Sequence, residues 1–211
     1  MEDKKTISIR ALRKEKSKET DQLDILDTAS KLFASKGIEQ TSMSDIADES
    51  GFSVGKIYKF FPSKKSLFLD IVGDFLEHLH NSSLEANDPD LPPIDRLKRV
   101  LQAAIDVANS DPDRVLIHLR ESPSLFAELK IHYHDIYAVT IQDILTEAME
   151  AGHLKTNDPM LLAIMLVGAV DALFSYLANS GEEAPFSPVP PLVFDHLISP
   201  LLTESAPAVK E

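Results

Sequence analysis

The chain has 211 residues, 44% hydrophobic and 26% charged, which suits one globular domain or two modest ones. It contains no cysteine, so disulfides, thiolate catalysis and cysteine zinc sites are excluded. Residues 1–72 hold 13 Lys+Arg against 12 Asp+Glu and the remainder 8 against 22, so the net −13 divides into +1 and −14. The acidic bulk argues against nucleic-acid binding by the whole surface and leaves room for one positively lined edge near the N-terminus.

Residues 1–20 carry seven Lys/Arg against four Asp/Glu with little apolar periodicity. They are expected to be a disordered basic arm, with contact to DNA phosphate or minor groove as the sharper alternative. No apolar segment of a secretory signal follows, so a cytoplasmic protein is expected. A first helix is predicted from about Asp21 to Ser35, where Ile25, Leu26, Ala29, Leu32 and Phe33 share one face. Gly37 supplies a left-handed stop. Ser42 begins a second helix, ending near Ser50–Gly51, and Asp45 three residues later can complete a capping box. Ser53 caps a third helix, with Val54, Ile57 and Phe61 expected on its buried side, until Pro62 and Ser63 break it. A fourth helix is predicted from about Lys64 to His80.

Asn87–Pro93 reads as a linker. Helices follow over Ile94–Asn109, Asp111–Glu121, Ser124–Ala151, Pro159–Asn179 and Pro190–Ser199, with Pro200 ending or kinking the last. No alternating β-branched run is present, so the expected fold is all-α. The domains predicted are the arm 1–20, a DNA-binding unit 21–72, a helical regulatory and dimerisation unit 73–203, and a disordered tail 204–211. Met160–Ala178 is nearly long enough to span a membrane, but Asp171 in its middle and weak basic flanks favour a helix that is apolar on all sides and buried in protein.

Two short helices joined through Gly51 form a helix-turn-helix pattern, in which the second helix enters the major groove. The segment Ser53–Phe61 carries Lys56, Tyr58 and Lys59 and no acidic residue. Ser42 and Ser53 can cap their helices or meet a phosphate oxygen, Tyr58 can donate its hydroxyl, and Gly55 allows close approach to bases. Lys64 is placed to clamp backbone on one side. Singly, each lysine reads as solvated; the constellation carries the DNA reading.

From Leu23 to Val72 the chain resembles the TetR family of bacterial transcription regulators. The likeness rests on Leu32-Phe33, Gly37, Thr41-Ser42, Asp45-Ile46-Ala47, Gly51, Ser53-Val54-Gly55-Lys56-Ile57-Tyr58, Phe61-Pro62-Ser63-Lys64 and Leu67. The resemblance implies phosphate contacts from Ser42, Tyr58 and Lys64, and groove-facing positions for Gly55, Lys56 and Lys59. The expected DNA-contacting set is therefore Ser42, Ser44, Ser53, Val54, Gly55, Lys56, Tyr58, Lys59 and Lys64. Two positions depart from the family pattern. Many members have a histidine pair where this chain has Lys59-Phe60, and arginine where it has Ser44.

The resemblance also implies a dimer built from the last helices and a ligand pocket between helices. Independently, Met160–Ala178 holds more apolar surface than one monomer is expected to bury, with Gly168, Ala169, Ala172 and Ala178 allowing close approach. Pocket candidates are His118, His134 and Tyr137 as polar members and Phe75, Phe126 and Phe174 as apolar ones, with Leu79, Leu101, Ile105 and Ile141 behind them. A small lipophilic or aromatic effector is implied by the resemblance, and the acidic charge favours a neutral or cationic one.

The pairs Asp74/His78, His118/Glu121 and His132/Asp135 have chelating spacing but form no matched motif, so no metal and no cofactor are expected. The leading expectation is a homodimeric, ligand-responsive repressor of a palindromic operator. In it, ligand tilts the fourth helix and changes the separation of the recognition helices. A constitutive DNA-binding dimer and an all-helical metal or carboxylate enzyme are the alternatives.

Overall fold

The structure is a computed structural model that describes residues 9–120, 138–179 and 189–206. Among these residues the fold is all-α, with one isolated bridge between Leu154 and Leu202. The chain divides into two compact units, Met1–Val72 and Gly73–Glu211.

In the first unit, α1 spans Ile9–Lys36, α2 Met43–Ser50 and α3 Val54–Phe60, and α4 begins at Lys64. The expected face of α1 is the buried one, with Ile25, Leu26, Ala29 and Phe33 each at most 2% exposed. Its start is earlier than expected, at Ile9 rather than near Asp21. Residues 9–20 hold many Lys, Glu and Arg but no proline or glycine. Such residues are good helix formers even without an apolar stripe, so a reading by apolar period misses them.

Gly37 and Gly51 both take left-handed φ, at 85° and 72°, where a Cβ would be strained. Gly37 closes α1 and Gly51 turns the chain from α2 into α3. Thr41 is buried, and its hydroxyl donates to the Gly37 carbonyl at 2.9 Å, so its polarity is satisfied inside the unit. Ile46, Ile57, Phe61, Leu67, Phe68 and Ile71 complete this core. Each such burial contributes about 1.5–3 kcal/mol relative to exposure. Val54 departs from expectation: it is exposed on α3, and Ile57 carries the inward face.

α4 spans Lys64–Ala86, beyond the predicted end at His80. Ser63 and Ser66 cap its start reciprocally, each backbone N–H donating to the other's hydroxyl at 3.0 Å. Near its end Ser83 is buried and returns its hydroxyl to the Leu79 carbonyl at 2.7 Å, so two serines in a row do not stop it. The division between the units falls inside this helix.

The second unit holds the remainder of α4, α5 (Pro93–Ser110), α6 (Pro112–Arg120), α7 (described over 138–150), α8 (Pro159–Asn179) and α9 (Val189–Val193). α5 starts on Pro93, where a missing N–H costs nothing, and buries Leu97, Val100, Leu101, Ala104 and Ile105. Arg96 is buried on the same helix. Its guanidinium pairs with Glu147 of α7 and donates from Nε to Asn87 Oδ1 at 2.8 Å.

The last predicted helix, Pro190–Ser199, proves to be three short pieces: α9, a π-helical turn Phe194–Ile198 and a 3-10 turn Ser199–Leu201. Pro200 has no N–H and its ring crowds the carbonyl four residues back, and the Ser199 N–H bonds instead to Phe194, five residues back. Within one chain α8 buries only part of its apolar surface, in keeping with the excess expected from its sequence. Leu162, Ala163, Leu166, Val167, Val170 and Phe174 are buried, whereas Leu161, Ile164, Met165, Gly168, Ala172 and Tyr176 are exposed.

Candidate nucleic-acid interface and effector cavity

Ser42 is a helix cap before it is anything else. Its hydroxyl accepts the Asp45 N–H at 3.1 Å and donates to Asp45 Oδ2 at 2.7 Å, and the same carboxylate oxygen accepts the Ser42 N–H at 2.7 Å. These bonds from Ser42, side chain first and then backbone, hold the Asp45 carboxyl below the usual carboxylate range, with Lys36 helping and partial desolvation opposing. Ser53 caps α3 in the same way, accepting the Lys56 N–H at 3.3 Å.

Beyond these caps, Ser44, Val54, Gly55, Tyr58 and Lys59 are exposed, with Tyr58 at 48%. A Cβ added at Gly55 would meet nothing within 4 Å. No intramolecular contact requires glycine there, so the open space in front of it is available to another molecule.

The other two lysines are engaged. The Lys64 ammonium donates to the backbone carbonyls of Ile38 at 2.6 Å, Thr41 at 3.0 Å and Glu39 at 3.4 Å. All three of its N–H donors therefore have acceptors in the loop between α1 and α2, where a phosphate clamp was expected. Lys56, expected to face the groove, pairs with Asp21 of α1 at 2.8 Å and lies 4.1 Å from the centre of the Phe52 ring. Sequence reasoning missed Asp21 because nothing local links it to a residue on α3.

In the second unit four of the expected pocket residues converge, Leu79 among them. Phe75 of α4, His118 of α6 and Phe174 of α8 line one small cavity with Leu79, Ala104, Val115, Val167, Val170 and Asp171. The Phe75 and His118 rings lie 5.6 Å apart. The cavity volume is ≈ 20 Å³, room for about one water. Leu101, Ile105 and Ile141 are buried but do not line it. Phe126, His134 and Tyr137 lie outside the described residues. Asp171, noted in the sequence only as the sole charge on its helix, is the carboxylate that reading missed. Its neighbours at the cavity lie on other helices, out of reach of local pattern. A larger, open groove of ≈ 340 Å³ lies between α5 and the C-terminal turns, lined by Lys98, Leu101, Gln102, Pro190, Phe194 and Asp195 among others. Among the described residues no three metal-ligating side chains converge. Glu121, His132 and Asp135 of the suspected pairs lie outside them.

Residues 25–71 match the family "Bacterial regulatory proteins, tetR family", and residues 90–185 match "Tetracyclin repressor-like, C-terminal domain". The chain belongs to the tetR family. The tetR helix-turn-helix match thus covers α2 and α3 whole, and the C-terminal match spans α5 through α8.

Among curated relatives, the HTH-type transcriptional repressor KstR2 of Mycobacterium tuberculosis is 24% identical over 138 residues, 64% of this chain and 69% of that protein. The fatty acid metabolism regulator protein of Bacillus subtilis is 26% identical over 164 residues, 74% of this chain and 82% of that one. Among solved structures, the transcriptional regulator FadR of Bacillus subtilis in complex with stearoyl-CoA aligns with a TM-score of 0.73 at 20% identity, covering 84% of this chain and 97% of that one. At that identity the likeness speaks for the fold alone. This tetR-family chain is accordingly a DNA-binding transcriptional regulator.

Proposed function

We propose that the protein is a cytoplasmic homodimer, without enzymatic activity, that represses transcription at a palindromic operator and is released by a lipophilic effector. The units would be a DNA-binding domain ending near Val72 and a regulatory and dimerisation domain from Gly73 to about Thr203. The observation that carries the reading is the exposed face of α3. Val54, Gly55, Tyr58 and Lys59 are presented outward while Ile57 alone of the helix is buried. A major groove admits a helix of this kind, and the side chains on its outer face read base edges or phosphate.

The dimer is supported by the second apolar face of α8. Leu161, Ile164, Met165, Gly168 and Ala172 recur at helical spacing and are exposed. An isologous two-fold contact would cover that face on both copies and set two copies of α3 at one separation. α8 is also long and apolar enough to cross a bilayer by length and composition. Asp171 on it, and the burial of its opposite face in the unit's own core, favour a protein partner over lipid.

The effector reading is supported by the cavity lined by Phe75, Leu79, Val167, Val170 and Phe174, whose apolar walls suit an acyl chain or another lipophile. The stearoyl-CoA bound by the Bacillus neighbour is polyanionic, against the neutral or cationic effector expected from net charge alone. α4 supplies the link. One continuous helix gives Leu67, Phe68 and Ile71 to the first core and Phe75 and Leu79 to the cavity. With ≈ 20 Å³ available, a ligand must move that helix or its neighbours to enter. The test is selection of bound duplexes from a random DNA pool, followed by addition of stearoyl-CoA to the complex. Enrichment of a palindrome and release by the thioester are expected. No enriched sequence would refute DNA recognition, and an unmoved complex would refute this effector class.

A further inference from the structure

α1 meets the outward-facing helix α3 through a side-chain pair that the DNA-binding reading does not use. The Asp21 carboxylate lies 2.8 Å from the Lys56 ammonium, and the Phe52 ring centre lies 4.1 Å from that same ammonium. A carboxylate and an aromatic face both attract one cation, which confines a side chain that is otherwise flexible. The pair keeps solvent access, with 35% exposure for Lys56 and 25% for Asp21, so it can open.

We propose that Asp21 sets the specificity of DNA binding by withholding the charge of Lys56 from phosphate. The inference rests on α3 being the helix that contacts DNA. Binding to arbitrary duplex draws its free energy from neutralising phosphates and releasing their counterions. An ammonium already paired with a carboxylate releases fewer counterions, and approach to phosphate also carries the Asp21 charge into a negative field. The pair therefore weakens binding to arbitrary sequence. On the right sequence, base-edge contacts from the other exposed residues of α3 offset the opening of the pair. Asp21 thereby raises the ratio of specific to non-specific affinity, which decides occupancy in a genome. Within α1, Asp24 is the natural comparison: it is an exposed carboxylate three residues on.

Full-length wild type, Asp21→Asn, Lys56→Gln, the double variant and Asp24→Asn are titrated by fluorescence anisotropy. Each meets a random-sequence duplex and the duplex enriched by the wild type, across a range of salt. Asp21→Asn is expected to bind random duplex about two- to fivefold tighter, the range of a single exposed pair. Its salt slope should steepen by about 0.9 per protomer. The enriched duplex should gain less, so the ratio of the two affinities falls. In the Lys56→Gln background Asp21→Asn should produce neither change, and Asp24→Asn should leave the slope where it was. Melting temperatures matching wild type establish that the variants are folded. An unchanged slope, an equal gain on both duplexes, weaker binding by folded Asp21→Asn, or the same gain without Lys56 would each overturn the proposal while leaving DNA recognition intact. Failure of the wild type to enrich any duplex would overturn both.

Discussion

Three residues of the first unit divide stability from recognition. Gly55 has no structural reason to be glycine, since a Cβ there meets nothing within 4 Å and the residue lies in a helix. Gly55→Ala should leave the melting temperature equal or slightly raised, by the roughly 0.5–1 kcal/mol that alanine gains over glycine inside a helix. DNA affinity should fall by about tenfold or more if bases approach that position, as anisotropy would read. Lys64 is the reverse case. Lys64→Met strands up to three carbonyls in the α1–α2 loop, so urea unfolding should show a loss of about 1–3 kcal/mol before any DNA is added. Unchanged stability would return Lys64 to the role of a simple phosphate contact. Asp45 gives a pH signature. Its carboxyl is held below its ordinary value in the fold, so the stability it contributes is present above the unfolded pKa of about 3.9. That contribution is lost as pH falls through the lower, folded pKa. Ser42→Ala removes the first cause of the shift, and the acid-side slope of its stability curve should be shallower than in wild type.

At the scale of elements, α8 carries the sharpest prediction. Its two faces are both apolar, and one of them is exposed in the single chain. Met165→Glu places a charge in the middle of the exposed stripe, at a residue 49% exposed, where the monomer itself tolerates it. Light scattering at micromolar concentration should show a dimer for wild type and a monomer for this variant, with helical content retained. A monomeric wild type would remove the proposed interface. α1 and α4 show how length is decided. Both run beyond the ends that apolar periodicity suggests, because neither meets a proline or glycine there and Ser83 satisfies its own hydroxyl within the helix.

Across the whole molecule, the proposed regulation requires that one helix transmit the filling of a cavity. By linkage, if an effector lowers operator affinity by some factor, operator DNA must lower effector affinity by that same factor. Titrating stearoyl-CoA into the protein with and without saturating operator should give matching ratios. Typical couplings are about 5- to 150-fold. Effector binding indifferent to operator would make the cavity a structural void and the protein a constitutive DNA-binding dimer.

The sequence by itself determined the parts that follow from neighbours along the chain. Serine caps, left-handed glycines and apolar period are local devices, and they placed α2 and α3, the turn at Gly51 and the bounds of α8. They also picked Phe75, His118 and Phe174, because aromatic and polar groups on the inner faces of helices are conspicuous against aliphatic ones. Tertiary structure alone decided where long side chains end. A lysine has four flexible methylenes, and its ammonium takes the best acceptor within reach whatever the separation in sequence. Lys64 therefore finds carbonyls 23 to 26 residues back, and Lys56 finds Asp21 on another helix. The same holds for Asp171 at the cavity and for which residues of α8 form its unburied face. Those depend on which helix lies opposite, a long-range matter that no local pattern encodes.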